Sequence, residues 1–239
     1  MRNIKGFFPG IFTVGNMFCG FVSILYSFDG EPIFAAWMIV LAAFFDALDG
    51  QVARLSGTPS RFGVELDSFA DLLSFGVAPV VLFYNLNLYP LGRWGSMLGF
   101  VFVMCGVFRL VRFNLQQTKL EEKLPYVGLP IPSAAVTLVS YILFCYEIWG
   151  TLRFPKALIT MIVAFSGLMV SGIEYETLPK FSFGNRRNRI KLVYVFVFLV
   201  ALIVNPRLAL FPFGILYVLS GFGKGAYELF KAEKAESTE

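Results

Sequence analysis

Four carboxylates stand where apolar sequence makes them costly: Asp46, Asp49, Asp67 and Asp71, in the stretch DALDGQVARLSGTPSRFGVELDSFAD at residues 46–71. With about 100° per helical residue, Asp46, Asp49 and Ala53 share one face, and Gly50 lies close by. Asp67 and Asp71, one helical turn apart, also point the same way. Two helices meeting across a short polar loop can therefore aim all four carboxylates at one pocket. A charge within a membrane span costs roughly 2.5–3.5 kcal/mol, so four of them need a compensating partner. Two divalent cations would balance them in charge and prefer oxygen ligands.

Around these acids stand residues that could complete a site. Gly50, Ala53 and Gly63 have little or no side chain, which lets a ligand approach the backbone or lets two helices touch. Arg54 can pair with a phosphate or with one of the aspartates. Thr13 and Asn16 are polar positions on the first apolar segment, suited to a ligand's polar head or to a neighbouring helix. A second constellation is CGVFRLVRFN at 105–114, where Arg109 and Arg112 are three apart and Asn114 follows. A guanidinium matches a carboxylate bidentately, so this pair can act as a fork for one; snorkelling arginines at a helix end are the plainer alternative. The sequence contains no histidine, which excludes a histidine-based triad, proton shuttle or zinc site.

The elements that must position these groups are apolar helices. Of the 239 residues, 57% are hydrophobic and only 15% charged, and 28 are Phe. Such a composition belongs to a polytopic membrane protein rather than a soluble domain. Apolar segments long enough to span occur at about 11–28, 33–53, 68–88, 95–114, 132–149, 155–172, 190–205 and 207–224. The expectation is an all-α transmembrane bundle of about eight spans, forming one integral membrane domain over 1–239, with a core at about 9–205 and a tail at 231–239. Pro130, Pro132, Pro155 and Pro206 lie near segment starts, where a missing amide does no harm. Cys19, Cys105 and Cys145 fall in separate apolar segments without metal-ligand spacing, as packing residues do. MRNIKGFFPG reads as a basic lead into an uncleaved first span, since no small-residue cleavage site follows.

Lys and Arg placement sets the expected orientation. With the N-terminus inside, the inner segments hold Arg2, Lys5, Arg54, Arg61, Arg109, Arg112, Lys119, Lys123, Lys180, Arg186, Arg187, Arg189, Lys191, Lys224, Lys231 and Lys234. Only Arg93, Arg153, Lys156 and Arg207 remain outside. Both termini and the aspartate stretch are then cytoplasmic, in the cell membrane. The basic run GNRRNR at 184–189 serves as a topology determinant or attracts anionic lipid. The tail KAEKAESTE reads as a frayed helix end or as disordered.

The spacing of the acids carries a resemblance. Asp46, Asp49, Gly50, Ala53, Arg54, Gly63, Asp67 and Asp71 meet every spacing of Asp-x2-Asp-Gly-x2-Ala-Arg-x8-Gly-x3-Asp-x3-Asp. That pattern resembles the signature of the CDP-alcohol phosphotransferases. The resemblance implies transfer of a phosphoalcohol from a CDP-linked donor to an acceptor hydroxyl, with CMP leaving. It implies that Asp46, Asp49 and Asp67 are metal ligands and that Asp71 is ligand, general base, or both. The residue chemistry agrees: two hard cations can clamp a pyrophosphate during in-line attack, and without histidine a carboxylate is the natural base. Mg²⁺ and Mn²⁺ both suit an all-oxygen site.

NMFCGF at 16–21, SRFGVELDSFADLLSFGVAP at 60–79, the 105–114 segment and GLPIPSAA at 128–135 are similar to the phosphatidylserine synthase branch of that family. This likeness implies a CDP-diacylglycerol or CDP-archaeol type donor, L-serine as acceptor, membrane lipids as surroundings and a homodimer; no nucleic acid is implied. With such a donor and acceptor, Gly50, Ala53, Arg54 and Gly63 are expected at the nucleotide and phosphates, Thr13 and Asn16 are candidates for the donor's head, and Arg109, Arg112 and Asn114 are expected at the serine. Two rivals stand beside it. Glycerol 3-phosphate or inositol phosphate would bring a phosphate and favour more basic residues. A transporter using the aspartates as a cation path has no need of the glycines and alanine at these spacings.

Overall fold

The computed structural model describes residues 9–56, 61–118, 128–173, 175, 197 and 200–236. Among these, all regular structure is helical: α1 (Pro9–Phe28), α2 (Pro32–Ser56), α3 (Arg61–Asp71), α4 (Ala78–Phe83), α5 (Arg93–Thr118), α6 (Ile131–Trp149), α7 (Pro155–Val170) and α8 (Pro206–Glu236). Five stretches are long and apolar enough to cross a membrane: Gly10–Phe28, Pro32–Val52, Phe62–Leu91, Arg93–Leu115 and Ile131–Trp149. Pro155–Val170 and Pro206–Gly221 are shorter apolar helices. The expected span at about 190–205, the basic run at 184–189 and the lead at 1–8 fall wholly or largely outside the described residues.

Proline punctuates the bundle in two ways. Pro9, Pro32, Pro155 and Pro206 open α1, α2, α7 and α8, and Pro132 is the second residue of α6. There the absent amide would have been unpaired anyway. Inside the Phe62–Leu91 stretch the helix is instead widened twice. Leu72–Val77 and Tyr84–Leu88 are π-helical, and the amides of Ala78 and Tyr89 reach back to the carbonyls of Leu73 and Tyr84. Each donor immediately precedes a proline, Pro79 or Pro90, which can make no such bond. The ladder absorbs the missing donor by slipping one residue wide. α3 and α4 thereby form one path across the bundle, and because that path starts at Phe62, Asp67 and Asp71 lie within it rather than at its start.

α6 is the central helix, since 61% of its span is buried against 28–33% for α1, α2 and α5. It packs against α2 and α8, while α1 pairs with α2 and α5 with α7. Close crossings depend on glycine: a Cβ at Gly106 would strike Ile131, one at Gly99 would strike Val80, and one at Gly214 would strike Thr137. Gly128, at φ +89°, turns the chain into α6 where a side chain would collide with the Met169 carbonyl. At the opposite end Asn205 caps α8, its Oδ1 accepting from the amides of Arg207 and Leu208 at 3.1 and 3.3 Å. Arg207 then pairs with Glu147 of α6 at 2.8 Å. α8 continues as helix through Glu236, well into the expected tail.

Candidate active site

The site begins on α1, whose two faces are sorted in the sense lipid requires. Ile11, Val14, Phe18, Phe21, Leu25 and Phe28 are exposed along one stripe, where they can face hydrocarbon. The opposite stripe, at the same helical spacing, is Thr13, Asn16, Gly20, Ser23 and Ser27, all buried. A buried hydroxyl or amide must find a partner. Ser27 Oγ donates to the Ser23 carbonyl within α1 at 2.8 Å, while Ser23 Oγ donates to the Ala35 carbonyl at 2.9 Å, which ties α1 to α2. The two deeper-lying functional groups of the stripe, Thr13 and Asn16, turn to carboxylates instead.

α2 supplies Asp46 and Asp49; the α3 path supplies Asp67 and Asp71. One oxygen each of Asp46, Asp67 and Asp71 lies within 4.8 Å of the others. The charge of Asp49 acts on Asp46 and on Asp67, so Asp49 belongs to the same field although it is outside that triplet. Asp49 is 7% exposed, and its Oδ2 accepts from Thr13 Oγ1 at 2.6 Å. Its Oδ1 is buried with no hydrogen-bond partner among the described residues. Asp71 is equally buried, and its Oδ1 accepts from Asn16 Nδ2 at 3.2 Å. Ser74 Oγ in turn donates to the Asn16 carbonyl at 2.9 Å.

Converging carboxylates repel one another, and burial sharpens that repulsion. The one nearby cation whose charge acts on Asp46 and Asp71 is, among the described residues, Arg109. One guanidinium does not neutralise four acids. An all-oxygen donor set with an orphaned buried Asp49 oxygen fits hard divalent cations, and Asp46, Asp67 and Asp71 are the residues placed to share one.

The remaining sequence-predicted residues fall as follows. Gly50 and Gly63 are half-buried on α2 and α3 near the acids. Ala53 and Arg54 lie on α2, but their side chains are outside the described set. Thr13 and Asn16, expected at the nucleotide, contact Asp49 and Asp71. Arg109 stacks over Phe113 at 5.2 Å, and Arg112 Nη1 donates to the Ser171 carbonyl at 3.4 Å. Asn114 Nδ2 donates to Ser68 Oγ at 2.8 Å, which ties the end of α5 to the residue after Asp67. Ser68 and Ser74 are participants that sequence reading passed over. Their signal was available: each sits among apolar neighbours within a few residues of a site aspartate. An apolar groove of about 440 Å³, lined by Met17, Leu66, Phe69, Leu72, Leu73 and Val77, runs beside the same turn of helix.

The geometry can be set against known proteins. A family model described as CDP-alcohol phosphatidyltransferase matches residues 7–171. A Helicobacter pylori protein named CDP-diacylglycerol–serine O-phosphatidyltransferase is 36% identical over 227 residues, covering 94% of this chain and 93% of that protein. A Bacillus subtilis protein of the same name is 37% identical over 175 residues, 73% of this chain and 92% of its own. A Methanothermobacter thermautotrophicus archaetidylserine synthase is 37% identical over 169 residues, 70% of this chain and 68% of its own. The match spans α1 to α7 and so includes all four aspartates, their α1 partners and the Arg109 helix. By that coverage and that identity, the chain belongs to the CDP-alcohol phosphatidyltransferase family.

Proposed function

We propose that this protein transfers the phosphatidyl group of a CDP-linked lipid to the hydroxyl of L-serine, forming phosphatidylserine and releasing CMP. The observation that carries the reading is the convergence of Asp46, Asp67 and Asp71 within 4.8 Å, with every position of the family signature occupied. The names of the relatives support serine as the acceptor.

In this reading Asp46, Asp49, Asp67 and Asp71 hold two divalent cations, Mg²⁺ or Mn²⁺. When bound, they neutralise the pyrophosphate and stabilise the departing phosphate. The chain's own groups do the rest. Asp71 accepts the proton of the serine hydroxyl as its oxygen forms a bond to the lipid-side phosphorus. The bond from that phosphorus to the bridging oxygen breaks, and CMP leaves with the oxygen. Asn16 holds the Asp71 carboxylate against rotation, and Thr13 does the same for Asp49. Gly50, Ala53 and Gly63 leave room for the nucleotide, with Arg54 on a phosphate. The apolar groove beside α3 gives the donor's lipid chains a place outside the polar pocket. Arg109 faces the acceptor side, and Arg112 and Asn114 support the end of the same helix through Ser171 and Ser68.

The reading also includes about eight spans, both termini and the active site at the cytoplasmic face, and a homodimer. The orientation is supported by the bias of Lys and Arg to one side. The test of function is an acceptor screen with purified protein and labelled CDP-diacylglycerol or CDP-archaeol. Release of CMP on adding serine, with a phosphatidylserine-type product, is the expected result. A preference for glycerol 3-phosphate or inositol phosphate would overturn the serine assignment while leaving the family chemistry in place. Tags at the two ends that report opposite faces would overturn the topology.

A further inference from the structure

A buried hydroxyl on the far side of Arg109 has no task in this scheme. Three contacts draw the chain after α7 along the end of the bundle that holds the carboxylates. Leu129 N donates to Leu168 O at 3.1 Å, Gly128 N to Ile173 O at 2.8 Å, and Arg112 Nη1 to Ser171 O at 3.4 Å. They deliver Tyr175, which is only 4% exposed, against α8. Its ring lies 5.8 Å from the ring of Tyr217 and fills the space that the missing side chain of Gly221 leaves. Tyr217 lies near enough to Ser133 of α6 and to Arg109 of α5 for both to act on its hydroxyl. Tyr175 thus touches Tyr217, the charge of Arg109 reaches Tyr217, and the same charge acts on Asp46 and Asp71.

The Tyr175 hydroxyl is buried and finds no hydrogen-bond partner among the described residues. Leaving such a group unpaired is unfavourable, and phenylalanine would fill the same space without that penalty. The oxygen is therefore best explained by a ligand. The donor is the poorer candidate, because its lipid groove and the small residues for its nucleotide lie on the α1–α3 side of the acids. The acceptor must reach the phosphorus from elsewhere, and the α5–α6–α8 side with its one guanidinium facing the acids suits a small anionic molecule.

We propose that Tyr175 is an acceptor-binding residue: its hydroxyl donates to the carboxylate of the amino-acid acceptor held beside Arg109. This rests on the serine reading above. Tyr175→Phe removes one oxygen and keeps the ring against Gly221 and Tyr217. A hydrogen bond to a charged group predicts a rise in the serine KM of roughly 10- to 100-fold, with the CDP-lipid KM within about twofold of the parent. The unfolding temperature should be equal to the parent's or higher, as expected when an unpaired buried oxygen is removed. Serine added without donor should raise the parent's unfolding temperature and leave that of Tyr175→Phe unmoved. Gly221→Ala, which pushes on the Tyr175 ring, should weaken serine in the same way, and the double variant should be no weaker than Tyr175→Phe. An unchanged serine KM in Tyr175→Phe, or a rise confined to the CDP-lipid KM, would overturn the proposal with the serine reading intact. A parent that neither turns over serine nor is stabilised by it would overturn both.

Discussion

Thr13 Oγ1 donates to Asp49 Oδ2 at 2.6 Å, a bond between residues 36 apart that joins the first two helices inside the bundle. The other oxygen of that carboxylate is buried and unpaired among the described residues. The hydroxyl therefore decides how Asp49 faces the other acids.

Replacing Thr13 with Val keeps the shape and deletes that bond. Loss of a group that orients a metal ligand typically costs about 10- to 100-fold in metal affinity or activity. The expected result is a drop of that size in kcat/KM for CMP release at limiting Mg²⁺ or Mn²⁺, partly recovered at high metal. Thr13→Ser, which restores the hydroxyl, should keep most of the activity. A Val variant whose metal-activation curve overlays the parent's would remove Thr13 from the site.

Asn16 makes the matching prediction at Asp71. Its amide holds Oδ1 at 3.2 Å, and Ser74 holds the Asn16 backbone in turn. Asn16→Ala should lower kcat by roughly 10- to 100-fold and leave the CDP-lipid KM almost unchanged if, as proposed, Asp71 is the base, because it then disturbs the base and not the donor site. Ser74→Ala, one bond further out, should show a smaller loss in the same parameter. A change confined to the donor KM would instead place Asn16 at the nucleotide.

Gly20 tests the packing that holds this arrangement. A Cβ there would overlap Ser74 Oγ and come within 2.8 Å of Ser74 Cα, a backbone atom that cannot swing aside. Glycine to alanine inside a helix is ordinarily favourable by about 1 kcal/mol. Overpacking of a rigid contact costs about 1–3 kcal/mol, so the clash should win. Gly20→Ala is expected to unfold at lower temperature and to lose activity, because α1 carries Thr13 and Asn16 away with it. Gly10→Ala, where a Cβ meets nothing within 4 Å, is the control and should be neutral to slightly stabilising.

Much of this was legible in the residues themselves. The acids declared themselves because apolar sequence tolerates Asp46, Asp49, Asp67 and Asp71 only for a reason, and helical spacing already put them on shared faces. The helix starts at Pro155 and Pro206 were readable from the missing amide. What was not legible depends on three dimensions. Nothing local says that Thr13 and Asn16 spend their polar groups on carboxylates of other helices. Nor does local sequence say that Ser74 would reach the Asn16 carbonyl, since that contact requires the π-helical widening ahead of Pro79. Arg109 and Arg112 looked equivalent by spacing, and the bundle gives them different surroundings.

That difference makes the last prediction. The charge of Arg109 acts on Asp46 and Asp71, so it borders the pocket that a serine must enter. Arg112 is one turn further on, and its Nη1 lies 3.4 Å from the Ser171 carbonyl, at the long limit of a hydrogen bond. Removing the partner of a buried carboxylate costs of order 2–5 kcal/mol, whereas a long, partly exposed bond to a carbonyl is worth about 1 kcal/mol or less. Arg109→Ala should therefore raise the serine KM by more than about 30-fold, with CDP-lipid binding nearly normal. Arg109→Lys should recover only part of it, because a point charge lacks the planar fork. Arg112→Ala should change the serine KM by less than about fivefold and show its effect as a slightly lower unfolding temperature. Should Arg112→Ala be the variant that loses serine, the fork is Arg112 and Arg109 serves only to offset the acids. If both alanine variants keep the parent's serine KM, neither guanidinium holds the acceptor carboxylate.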